Sequence, residues 1–166
     1  MKLNGYRIKN AIQSHCHQRE VLGNQFKKSL KKFPDEDKPK PTAIMQHYRT
    51  CEETIAHLQQ LQTVYNNTVK VNFEGGTVPL AFLIKAVGGM GRTEKMWRTA
   101  TPKPNRYYDE PDERKNDTTY AVDQMTAEEL LEYSRAAARR SANAREQIAL
   151  GNATEIEMDV DSRLFE

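Results

Sequence analysis

Gly88-Gly89-Met90-Gly91-Arg92-Thr93-Glu94-Lys95 is the segment whose residue types and spacing come nearest to a binding chemistry. Glycines let backbone amides close on a phosphate, and Arg92 and Lys95 would add charge-assisted contacts. The Gly-Lys-Ser/Thr ending of a Walker loop is missing, and the preceding residues have helical rather than strand periodicity. The segment therefore reads first as a kinked or closely packed helix. Its second reading is an anion or nucleotide site made by Gly88, Gly89, Gly91, Arg92 and Lys95. A secondary candidate is Arg106 with Tyr107 and Tyr108, where two rings beside a guanidinium could stack on a base or another ring, strand packing being the plainer alternative.

Other chemistries find less support. His15, Cys16, His17, His47, Cys51 and His57 invite a metal. In a helical hairpin folded about Asp37, His17 falls level with His57, while His47 and Cys51 fall beside Lys27 and Gly23. His15 and His17 point about 200° apart on a helix, so no metal and no cofactor are expected. The acidic pairs Asp109-Glu110, Asp112-Glu113 and Glu128-Glu129 suit a solvated loop or a helix N-terminus. Ser14 beside His15 is a helix neighbour pair and not a nucleophile motif. No catalytic residue is assigned, and a non-enzyme is expected. Lys27, Lys28, Lys31, Lys32, Lys38 and Lys40 form one basic patch, and Arg135, Arg139, Arg140 and Arg145 a second. Both are interrupted or followed by acids and carry no nucleic-acid fold signature, so they read as solvated faces.

Composition agrees. The 166 residues are 37% hydrophobic, with a mean hydropathy of -0.83, a thin core for one domain unless helices are long or another chain covers them. The 25 basic and 23 acidic residues leave +2, too little for nucleic acid to be the default partner. Two cysteines without a Cys-x-x-Cys spacing fit free thiols in a reducing compartment, and Met1 to Arg7 carries no apolar core of signal-peptide length, so a cytoplasmic location is expected. No apolar run approaches a membrane span, and no membrane partner is expected.

The positioning elements follow from hydrophobic period. Ile8, Ile12, Leu22, Phe26, Leu30 and Phe33 predict a helix to Phe33, broken by the prolines of 34–41. Thr42 is the expected N-cap of a second helix through Met45, Tyr48, Cys51, Ile55, Leu58, Leu61 and Tyr65. Val69, Val71 and Phe73 then alternate with Lys70 and Asn72, and Glu74-Gly75-Gly76 turns the chain into Thr77-Val78, a β-hairpin. Pro79 is expected in the first turn of a third helix carrying Leu80, Leu83, Val87, Met90 and Trp97, where the glycines mark a kink or a close approach. Residues 101–119 read as a loop with a short strand at 106–109, and Thr118 to Val122 have strand character. Thr126 and Glu129 form a capping box for a last helix ended by Gly151-Asn152. Ile156, Met158 and Val160 alternate with acids in a C-terminal strand without a local mate, for which a neighbouring subunit is the expected partner.

The order of helical hairpin, Tyr65-Asn66-Asn67-Thr68, then Gly76-Thr77-Val78-Pro79-Leu80-Ala81 opening another helix resembles the septicolysin-like family of small bacterial and phage proteins. The resemblance runs through Trp97. It implies an architecture and no established activity, and a phage-encoded protein would work in the host cytoplasm.

The expected fold is mainly α with minor β (α+β): a long antiparallel helical hairpin, a short β-hairpin, two further helices and a C-terminal strand. All of it reads as one domain, 1–166, with the helical hairpin at 4–66, the β-hairpin and glycine-containing helix at 67–100, and the loop, helix and strand at 101–166. The expected function is a non-enzymatic, self-associating helical scaffold or interaction protein, a component of a ring-like, phage-encoded assembly. The alternative is a module that binds a phosphorylated small molecule or nucleotide through the Gly88 to Lys95 bend at subunit junctions. The partner is the protein itself, with neither nucleic acid nor membrane expected.

Overall fold

The computed structural model describes residues 1–34, 36–101 and 124–165. The fold is mainly α with minor β, as the periodicities predict: β1 (Lys2–Leu3), α1 (Gly5–Ser29), α2 (Pro41–Thr68), β2 (Lys70–Phe73), β3 (Gly76–Pro79), α3 (Leu80–Ala100), α4 (Ala127–Ala153) and β4 (Ile156–Glu157), followed by a 3-10 turn at Ser162–Phe165. The expected strands at 106–109 and 118–122 lie outside the described residues. Two compact units divide the chain, Met1–Leu83 with Gln147–Glu166, and Ile84–Glu146.

In the first unit, α1 opens three residues before Ile8 because Asn4 caps it, its Oδ1 accepting the Arg7 N–H at 2.9 Å. The helix ends at Ser29 and not at Phe33. Leu30 and Phe33 therefore do not extend the buried stripe; they are 60% and 78% exposed. The second helix starts at Pro41 after Lys40, with no side-chain cap, so Thr42 is not the N-cap. Proline suits this first position because its missing N–H would have no helical partner. Ile44, Cys51, Ile55, Leu58, Leu61 and Tyr65 bury one face of α2. Arg19 meets Glu52 at 3.3 Å, and Gly23 faces Tyr48. Both pairs centre between positions 35 and 36, so the facing register is shifted by three residues from a fold about Asp37. The reason is that α1 stops early, which moves the middle of the connection back.

The β-hairpin pairs Lys70 with Pro79 through Phe73 with Gly76. Glu74 and Gly75 are both left-handed, with φ of 51° and 78°, the two-residue turn that matches strand twist. The turn is thus one residue shorter than expected, since Gly76 belongs to β3. Pro79 ends β3 and does not open α3, and the Leu80 N–H donates to the Val69 carbonyl at 2.9 Å. Val69, Val71 and Phe73 are buried while Lys70 and Asn72 are exposed, the alternation expected of a sheet lying on helices.

The C-terminal part of α4 completes this core. The helix runs through Gly151 and Asn152 to Ala153, because Gly151 is a packing glycine. A Cβ there would lie 2.8 Å from Val71 Cγ1 and 2.9 Å from Leu80 Cδ1. The buried Tyr65 hydroxyl donates to the Gly151 and Thr154 carbonyls, 2.7 Å from each, and latches the helix end. The strand after it does have a mate within the chain. β4 pairs antiparallel with β1, Lys2 with Glu157 and Leu3 with Ile156. The Met1 ammonium donates to the Met158 carbonyl at 2.6 Å, and the Met158 N–H returns a bond to Met1 O at 2.9 Å. The His15 Nε2–H donates to Leu164 O at 3.3 Å, and the Arg7 guanidinium lies 5.3 Å from the Phe165 ring centroid. The expectation that a neighbouring subunit supplies the mate is corrected: the N-terminus does, through a strand of two residues that periodicity cannot reveal.

In the second unit, α3 and α4 pair along an antiparallel seam. The Trp97 and Tyr133 rings stack at 4.9 Å, Thr101 Oγ1 donates to Leu130 O at 3.4 Å, and Glu94 meets Arg145 at 3.6 Å. The seam positions of α3 are Val87, Met90, Glu94 and Trp97, continued by Thr101 just past the helix, and those of α4 are Leu130, Ser134, Ala137, Ser141 and Ala144, with Ala86, Gly89 and Gly91 half-buried beside them. Both follow steps of three and four, the spacing of a coiled-coil seam. Thr126 and Glu129 form the expected capping box: the Glu129 N–H donates to Thr126 Oγ1 at 3.2 Å and the Thr126 N–H to Glu129 Oε2 at 2.8 Å. Among the described residues, no helix is long and apolar enough to cross a membrane.

Candidate functional site

The glycine-rich segment is not a bend. Gly88 to Lys95 is helical throughout, inside α3, so its amides are committed to the helix ladder and cannot wrap a phosphate. Among the described residues no other backbone comes close: a Cβ at Gly88, Gly89 or Gly91 would meet nothing nearer than arginine nitrogens, at 3.7 to 3.9 Å. Of the predicted site residues, Gly88, Arg92 and Lys95 are exposed and Gly89 and Gly91 half-buried. Steps of four and three put Gly88, Arg92 and Lys95 on one helix face. What survives of the anion site is this pair of cations, about one turn apart on an exposed helix face. Arg106, Tyr107 and Tyr108 lie outside the described residues.

The histidines and cysteines do not assemble either. Among the described residues, no group of three His, Cys, Asp or Glu is placed to hold a metal. His57 lines a cleft of about 510 Å³ between α2 and residues 156–160, together with Leu61, Val64 and Met158. His17 lines a different cleft of about 710 Å³ with Cys16, Arg19, Lys27 and Tyr48. Cys51 is buried, and burial first, with the Glu52 charge second, pushes its thiol above the ordinary range. A protonated, enclosed thiol is a core residue rather than a nucleophile. Burial likewise raises the Tyr65 hydroxyl, the Gly5 amide opposing, so it stays a donor to the helix end.

The feature that stands out lies on the second unit. Among its described residues, Met90, Ser141 and Ala144 are buried, and the Ser141 hydroxyl has no hydrogen-bond partner among the described residues. By contrast Met96 is 72% exposed, Tyr133 51% and Leu131 39%. Met96 lies one residue before Trp97 on α3, while Leu131 and Tyr133 flank the seam of α4 on its two sides, about 200° apart around that helix. They are exposed apolar side chains on separate flanks of a thin seam, each open to covering by protein.

No protein-family model matches the chain, and no curated protein does. A crystal structure of a functionally unknown conserved protein from Corynebacterium diphtheriae is similar, with a TM-score of 0.61 over 95% of this chain and 100% of that one, at 15% sequence identity. At that identity the likeness is one of fold.

Sequence reasoning missed that Met96, Leu131 and Tyr133 are left exposed. The available signal was the three-four spacing of small residues, Ser134, Ala137, Ser141 and Ala144, which marks a seam too shallow to hide its flanks.

Proposed function

We propose that the protein is a non-enzymatic interaction component that self-associates through the α3–α4 pair into a closed assembly of identical chains. The observation that supports this reading is the small-residue seam of α4, Ser134, Ala137, Ser141 and Ala144, with Leu131 and Tyr133 exposed on its two flanks and Met96 exposed on α3. A second copy would cover the exposed apolar side chains on the flanks of that seam. Closed symmetry lets one self-complementary patch serve both partners. A phage-encoded setting, as the septicolysin-like resemblance implies, suits such a component.

The test is the double variant Met96→Glu with Leu131→Glu. Both side chains are exposed, so the fold is expected to persist by circular dichroism while the sedimenting species falls to the monomer. An oligomer unchanged by both substitutions would remove this surface from the interface.

A second reading rests on Arg92 and Lys95, which are exposed and make no ion pair among the described residues. Two such faces at a subunit junction would hold a phosphorylated small molecule by charge-assisted contacts. Arg92→Ala should then abolish a nucleotide-sized adduct in native mass spectra and leave the assembly intact; an adduct that survives the substitution sinks the idea.

A further inference from the structure

The tip of the α1–α2 hairpin carries a second exposed surface, independent of the self-association reading. Phe33 and Leu30 are the apolar residues most exposed in the first unit, at 78% and 60%. Phe33 is tied to Glu36 and Lys38 beyond it. The Glu36 N–H donates to the Phe33 carbonyl at 3.1 Å, and the Glu36 carboxylate accepts the Phe33 N–H at 3.1 Å. Lys38 closes the turn, its Nζ lying 2.7 Å from Glu36 and 3.3 Å from the Lys31 carbonyl. Lys38 and the Phe33 N–H hold the Glu36 carboxyl below the usual carboxylate range, so the clasp is charged near neutrality. Around it stand Lys27, Lys28, Lys31, Lys32 and Lys40, all exposed. From 27 to 40 the chain has six lysines, three acids and no arginine.

We propose that this tip docks on an anionic lipid surface, with Phe33 and Leu30 entering the headgroup boundary and the lysines facing lipid phosphates and carboxylates. An apolar wedge ringed by basic residues is the arrangement by which a peripheral element lies on a charged bilayer. The absence of spanning helices bears on crossing a membrane and leaves docking on one open. Nucleic acid fits the same surface less well. A strand-binding site tracks the backbone along a groove with successive aromatic platforms, whereas this is a convex apex with one ring and an aliphatic neighbour. Base and phosphate recognition also favours the forked arginine donor, which is missing here, while compact lysine charges suffice against a diffuse lipid potential.

The experiment uses the full chain and flotation with two kinds of vesicle, pure phosphatidylcholine and an equimolar mixture with phosphatidylserine. The expected result is capture by the anionic vesicles alone, weakened about tenfold or more by Phe33→Asp and by reversing Lys27, Lys28, Lys31 and Lys32 to glutamate. Phe33→Trp should add a blue-shifted emission on vesicle addition that the wild-type Trp97 signal does not show. Folding is checked by circular dichroism, and the exposed Phe33 is a position where substitution leaves the core untouched. The proposal is overturned by absence of capture, by capture that Phe33→Asp and the lysine reversals leave unchanged, or by an unshifted Phe33→Trp emission. Tighter binding of a single-stranded oligonucleotide, lost in the same variants, would reassign the tip to nucleic acid.

Discussion

Gly151 shows how one residue type can carry opposite meanings. Near the end of a helical pattern it signals a stop, yet here it is buried inside α4 against Val71 and Leu80. Nothing local distinguishes the two, because the deciding atoms belong to residues about 70 to 80 positions away. Gly151→Ala gains helix propensity of about 1 kcal/mol and loses more to overpacking, about 1–3 kcal/mol, so urea denaturation should show a net loss of stability. Tyr65→Phe leaves the buried Gly151 carbonyl and the half-covered Thr154 carbonyl without their donor and should cost about 1–3 kcal/mol in the same measurement. The thiols give a chemical check: Cys16 is half-buried and Cys51 buried. Iodoacetamide should label Cys16 in the native protein and Cys51 after unfolding.

Helix existence was legible at the scale of elements, and helix ends were less so. The capping box was readable because both partners lie within four residues, and the structure bears it out. Thr126→Ala should cost about 0.5–2 kcal/mol, read as fraying of the first turn of α4 by NMR. The Thr126 amide first, and its hydroxyl second, hold the Glu129 carboxyl below its ordinary range. A lowered folded value means the contribution is present above the unfolded value and lost as pH falls through the folded one. Acid titration should therefore fray this turn below the ordinary carboxylate range, and not near neutrality. The end of α1 was misread because Leu30 and Phe33 keep the helical spacing while serving an exposed tip. The strand β1 was invisible, being two residues long. Its pairing with β4 moves the tail from an assembly device to a strap on the first unit. Deleting 154–166 should lower that unit's stability and leave the oligomeric mass per chain ratio unchanged, as sedimentation can establish.

For the whole molecule, composition spoke more clearly than motif. A mean hydropathy of -0.83 predicts a thin core, and the second unit is where the thinness falls, with Met90, Ser141 and Ala144 buried between two helices. The candidate anion site was legible as residues and not as geometry: spacing placed Arg92 and Lys95 together, but a glycine cluster does not say whether the chain bends. Self-association rests now on Met96, Leu131 and Tyr133 rather than on the tail. Native mass spectrometry of the unmodified protein tests that claim most directly. A defined multiple of the 19.1 kDa chain is the predicted result, and a species of 19.1 kDa alone at every concentration tried would contradict it.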